Sequence, residues 1–210
     1  MVKGKFLTIE GVEGVGKSTN LESIKQILES EGINFVATRE PGGTLIAEKI
    51  RALLLEHHQE KLCELSELLL VFAARAQHLE VVIKPALEAG TWVLCDRFTD
   101  ATYAYQGGGR GLNFNTISEL ENLTQGTLRP DFTLILDLDP EIGLSRAKNR
   151  GELDRIELEK TDFFKKVRAS YLDISKREPE RCKVVDASRS IDAVSNDVTE
   201  YLMTFIREST

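Results

Sequence analysis

The chain has 210 residues, 41% of them apolar, and 27 Lys and Arg against 34 Asp and Glu, a formal charge of −7. That length buries enough surface to fold without disulfide or metal staples, and the acidic balance argues against nucleic acid polymers or anionic membranes as main partners. Cys63, Cys95 and Cys182 form no close pair, no window approaches the ~18 apolar residues of a membrane helix, and the first ten residues lack a signal-peptide pattern. The expectation is a cytoplasmic protein with free thiols.

No repeat or Pro/Gly/Ser linker divides the sequence, which predicts one domain over 1–210. Short runs rich in Val, Ile, Leu, Phe and Thr predict strands at 6–10, 34–38, 91–95, 133–137 and 183–186. Between them the spacing predicts helices. In the first, 18–31, Leu21, Ile24, Ile27 and Leu28 share a face and Gly32 follows as a C-terminal stop. Others follow at 45–56, 64–89, 115–126, 140–150, 161–176 and 191–207. This alternation is the pattern of an α/β protein built around a parallel sheet. Ligands of such sheets bind beyond the carboxyl ends of the strands, so the residues after each strand are the first candidates.

After the first strand stands Gly11-Val12-Glu13-Gly14-Val15-Gly16-Lys17-Ser18, a phosphate-loop pattern placed between strand and helix, as that motif requires. Its backbone N–H groups and the following helix N-terminus suit phosphate oxygens. Lys17 is placed for the β- and γ-phosphates and Ser18 for Mg²⁺. The pattern predicts a nucleoside triphosphate ligand. No guanine-reading NKxD segment occurs, whereas Leu134 to Asp137 imitates the acid-ended strand of motor ATPases.

Asp96-Arg97 follows the third strand. An acid beside an arginine there suits Mg²⁺-bound water and a phosphoryl clamp, although a surface ion pair has the same sequence. In Gln106-Gly107-Gly108-Gly109-Arg110-Gly111 the glycines permit close backbone approach or hinge motion. The polar segment Asn149 to Arg155, with Arg150 and Arg155, suits a mobile flap that closes over transferring phosphates. Phe72 and Arg75 share a helix face and suit a flat base; a core phenylalanine beside a surface arginine fits the same spacing. His57, His58 and His78 lack metal spacing and read as exposed or capping residues.

Together these blocks resemble bacterial thymidylate kinase, a nucleoside monophosphate kinase, over essentially the whole chain. The resemblance is carried by Thr38-Arg39-Glu40-Pro41-Gly42-Gly43-Thr44, Phe72-Ala73-Ala74-Arg75, Asp96-Arg97-Phe98, Ala104 to Gly111 and Arg150-Gly151-Glu152-Leu153-Asp154-Arg155-Ile156, with the phosphate loop Gly11 to Thr19. It implies a three-layer P-loop kinase fold with a five-stranded parallel sheet flanked by helices, a flap at about 149–156, and the Mg²⁺-dependent reaction ATP + dTMP → ADP + dTDP. It implies further that Gly11, Val12, Glu13, Gly14, Val15, Gly16, Lys17, Ser18 and Thr19 hold the ATP phosphates. Glu13 would meet the deoxyribose 3′-hydroxyl, Arg39 and Arg97 clamp the acceptor phosphate, Phe72 stacks on thymine, Arg75 and Gln106 bond its edge, and Tyr105 packs beneath the sugar.

Lys17, Arg97, Arg150 and Arg155 would carry catalysis, with Ser18 and, through water, Asp96 at the metal. Eukaryotic relatives carry an arginine in the phosphate loop where this chain has Gly14, and the flap arginines are the substitutes. Ala101-Thr102-Tyr103 departs from the family pattern. A homodimer is implied, with the 64–89 helix as candidate interface. The competing readings are another small P-loop nucleoside monophosphate or deoxynucleoside kinase, and an ATP-binding module without transfer activity.

Overall fold

The computed structural model describes residues 4–149 and 152–209. Five parallel strands form one sheet: β1 (Phe6–Glu10), β2 (Phe35–Arg39), β3 (Trp92–Asp96), β4 (Phe132–Asp137) and β5 (Cys182–Asp186), in the order β2-β3-β1-β4-β5. Every residue of β1 is buried, as a central parallel strand with helices on both faces should be. Its register sets Ile9 opposite Asp96, and Asp96 in turn lies opposite Arg39. The carboxyl ends of β1, β2 and β3 therefore finish side by side.

Among the described residues, nine α-helical segments surround the sheet: α1 (Lys17–Ser30), α2 (Leu45–Leu55), α3 (Glu64–His78), α4 (Lys84–Glu88), α5 (Thr99–Thr102), α6 (Phe114–Gln125), α7 (Pro140–Lys148), α8 (Thr161–Arg177) and α9 (Ile191–Ser209). Ile24 and Leu28 of α1, Phe164, Val167 and Tyr171 of α8, and Val198 and Leu202 of α9 are buried in the main core. A smaller core joins Phe6, Val93 and Phe98 to Leu79, Ile83 and Leu87.

Two expectations are corrected. The helix expected over 64–89 is helical from Glu64 to Glu88 but is not α-helical throughout: it contains a π-helical turn at Leu79–Ile83. The segment after β3, which carried no predicted helix, is helical: α5 continues as a second π-helical turn, Tyr103–Gly109. A Cβ at Gly107, Gly108 or Gly109 would overlap Phe114, Ser170 or Phe163 respectively. The glycine run thus serves close packing of this turn against α6 and α8.

Helix α3 buries Leu68, Phe72 and Ala74 but also a polar stripe. Leu65 and Leu69 are 51% and 48% exposed, and Ala73 and Ala76 are exposed beside them. Glu67, Arg75 and His78 are instead buried, at 1%, 1% and 0% exposure. The polar stripe of this helix faces inward because it forms one wall of the functional site.

Candidate functional site

Beyond the ends of β1, β2 and β3 lies a cavity of about 600 Å³. The phosphate loop forms one end. Gly14 and Gly16 have φ of 71° and 91°, left-handed values that glycine adopts without strain, and Gly16 opens α1 with no side-chain cap. The first N–H groups of α1 are thereby left for an anion. Glu13 to Thr19 line the cavity. Gly11 and Val12 lie buried beneath them, and their carbonyls accept hydrogen bonds from Lys17 Nζ at 3.2 Å each. Desolvation, with Arg97 nearby, lowers the Lys17 pKa to about 8.

Arg97 stands at the centre. Its φ of 66° is the one positive value of a non-glycine residue among the described residues, the kind of backbone strain that gathers at functional sites. Nη1 donates to Gly11 O at 2.8 Å and to the Tyr171 hydroxyl at 3.1 Å, and Nη2 donates to Glu13 Oε1 at 2.9 Å. The Tyr105 hydroxyl donates to the same Glu13 carboxylate, at 2.7 and 2.8 Å. Tyr171 also donates to Glu10 Oε2 at 2.8 Å, while Phe98 N bonds Glu10 Oε1 at 2.7 Å. Burial, helped by the charge of Asp100, raises the Glu10 carboxyl pKa to about 8.

The far wall is built by α3. Arg75 lies between the rings of Phe72 and Phe98, 5.0 and 4.9 Å from their centroids. Its Nε donates to Glu40 Oε2 at 2.7 Å and its Nη2 to Thr102 Oγ1 at 2.9 Å. Buried Nη1 has no partner, a condition shared among the described residues only by Asp96 Oδ1. Buried polar atoms are rarely left unpaired, so these two atoms mark places for a ligand. Both residues line the cavity.

Glu67, which the sequence reading passed over, is a hub. Its carboxylate accepts from Gln106 Nε2 at 3.0 Å, from Arg110 at 3.0 and 3.1 Å, and from Arg155 Nη2 at 2.7 Å. Burial pushes its pKa up, but these bonds outweigh burial and hold it below the ordinary value. Arg110 is paired on its other side with Glu159.

Arg39, Tyr105 and Gln106 line the cavity as expected, with Arg39 Nη2 on Glu48 Oε2 at 2.9 Å. Phe72 lies just behind the cavity wall, its ring 5.0 Å from the Arg75 guanidinium carbon. It packs with Leu68 and Ile117, and the cavity wall at that turn is Val71; one residue along a helix is a rotation of about 100°. Arg155 lines the cavity but is docked on the protein, its Nε on Leu54 O at 2.8 Å and its backbone N on Leu55 O at 3.0 Å. Arg150 lies outside the described residues. Asp137, the imitation of a motor-ATPase acid, is taken by Arg168 at 2.7 and 2.8 Å. His78, expected at the surface, is fully buried. Arg51 and Arg146 also line the cavity; nothing in their spacing distinguishes them from solvated helix residues.

Fold and site define a phosphate-loop phosphotransferase: a parallel sheet, a phosphate cradle at β1 and a cationic cavity opposite it. The thymidylate kinase family profile matches residues 9–198. Relatives described as thymidylate kinase include one from Hahella chejuensis, 54% identical over 96% of this chain and 97% of its own length, and one from Pseudomonas syringae pv. tomato, 56% identical over 95% of each. A crystal structure of thymidylate kinase from Ehrlichia chaffeensis superposes with a TM-score of 0.77 at 36% identity, covering 96% of this chain and 99% of that one. The chain belongs to the thymidylate kinase family.

Proposed function

We propose that the protein transfers the γ-phosphoryl group of ATP to dTMP, giving ADP and dTDP, a step toward dTTP. The observation that carries this reading is that one cavity runs from the phosphate loop to the unpartnered Nη1 of Arg75. Phosphate cradle and base-edge donor share one space. A planar base carbonyl suits that donor, and the acceptor phosphate would then lie toward Arg39 and Arg97. Glu13, held by Arg97 and Tyr105, is set to accept from the sugar 3′-hydroxyl.

Transfer between two anions asks mainly for positioning and charge. Lys17 and Arg97 offset the repulsion, joined from the flap at about 149–156 by Arg150 or Arg155. Released from Glu67 and from the Leu54 carbonyl, the Arg155 side chain would be free to swing toward the phosphates. Mg²⁺ fits the donor set: exposed Ser18 and the free Oδ1 of Asp96, Asp96 acting through water. Among the described residues no cluster of three His, Cys, Asp or Glu would hold a metal without the nucleotide. The ion would supply charge neutralisation across the phosphates.

The outward stripe Leu65, Leu69, Ala73 and Ala76 supports a homodimer through α3, because a contiguous apolar face on a soluble domain marks an association surface. Three unpaired thiols fit a cytoplasmic site. The activity is tested by ADP release from Mg-ATP with dTMP, dUMP, dCMP, AMP and thymidine as acceptors. Fastest turnover is expected with dTMP, and preference for another acceptor overturns the reading. Light scattering should give twice the chain mass, and Leu69→Asp should halve it.

A further inference from the structure

Behind Arg75 runs a buried chain of polar groups that transfer itself does not use. Glu40, 4% exposed, receives Arg75 on Oε2 and faces His78 Nδ1 with Oε1 at 3.1 Å. The other ring nitrogen, Nε2, meets Thr38 Oγ1 at 2.7 Å. An ionised carboxylate only accepts hydrogen bonds, so the pairing assigns a proton to Nδ1. Thr38 sits in β2 next to Arg39, and a Cβ at Gly43 would press into both His78 and Thr38. The end of β2 that carries Arg39 is therefore seated on the same chain of bonds that holds Arg75.

We propose that Glu40 and His78 are positioning residues for acceptor-base selection: they lock the Arg75 guanidinium so that Nη1 is the group left for the base, favouring an oxo group over an amino group at that point. The inference deepens the acceptor assignment above and rests on it. Phe72 and Phe98 confine the guanidinium to a plane but leave it free to turn within that plane. The Nε bond to Glu40 and the Nη2 bond to Thr102 remove that freedom, and His78 in turn fixes the carboxylate. Against an amino group, Nη1 would set donor against donor in a buried place, and a polar site left unpaired in this way rejects the wrong ligand strongly.

The test is steady-state kinetics with dTMP and dCMP at saturating Mg-ATP for the wild type, His78→Leu, His78→Asn and Thr38→Val, with Tm recorded for each. His78→Leu keeps bulk and removes both bonds. It should raise the dTMP KM about tenfold, leave kcat within about threefold, and narrow the dTMP-to-dCMP ratio of kcat/KM. His78→Asn, whose Nδ2 stands close to the place of Nδ1, should recover most of the loss. Thr38→Val should raise the dTMP KM about threefold. An unchanged KM and ratio in folded His78→Leu overturns the proposal, as does equal loss in His78→Asn and His78→Leu, which would mean packing alone. If His78→Leu does not fold, an unchanged KM in Thr38→Val overturns it. A wild type that does not use dTMP removes the acceptor assignment itself, and no variant is needed to see that.

Discussion

The two ends of the cavity are made in different ways. The phosphate end is contiguous: nine residues, Gly11 to Thr19, supply backbone N–H groups, a helix N-terminus and Lys17, which donates to the loop's own carbonyls. The acceptor end is assembled from β2, α3, β3, the α5 turn and the segment around Arg155, and its charges answer one another: Glu13 with Arg97, Glu40 with Arg75, Glu67 with Arg110 and Arg155. A local cradle stands without the Lys17 side chain. A convergent pocket is its own scaffold, so each of its charged groups carries stability as well as recognition.

That contrast is tested most severely at Lys17. Lys17→Met should lower kcat by about 10³-fold or more with little change in Tm; a large fall in Tm would place Lys17 in the scaffold and break the contrast. Next comes Arg155→Ala, expected to reduce kcat by about 10²-fold with Arg150→Ala similar, and unchanged kcat in both would remove the flap arginines from transfer. The hub sharpens the point. Glu67→Gln should lower Tm, and combined with Arg155→Ala the stability losses should fall short of additive, because the two groups share one bond; strict additivity in a thermal or urea titration would deny the coupling.

The smallest effect is a pH dependence. Glu10 titrates near 8 in the folded chain against 4.5 as its ordinary value, so between those limits the folded state keeps a proton that the unfolded chain has released. Its contribution is therefore complete below about pH 4.5 and is lost as pH rises toward 8. Glu10→Gln, permanently neutral, should flatten the decline of Tm between pH 5 and 8, and an identical slope in both proteins would contradict the assignment.

Local features were legible in the sequence. All five strands were anticipated to within about a residue at each end, because buried parallel strands read as apolar runs, and the phosphate loop was legible because motif, strand and helix are adjacent. Glu40, Glu67, Thr102 and His78 were not. Periodicity sends a helix's apolar stripe inward, whereas α3 also buries Glu67, Arg75 and His78 and turns Leu65 and Leu69 out. Only partners distant in sequence, such as Gln106 and Arg155 for Glu67, make that burial possible, and no local pattern encodes them.

Gly14 and Gly143 meet backbone to backbone. A Cβ on Gly14 would overlap the carbonyl of Gly143, and one on Gly143 would overlap that of Glu13. The phosphate loop and the first turns of α7 therefore form a joint without cushioning, and no side chain fits between them at either position. Moving a phosphoryl-stabilising arginine into the loop at Gly14 is thus more than a one-residue change, since α7 would have to retreat first. How closely two stretches of bare backbone touch sets what the phosphate loop can carry at that position.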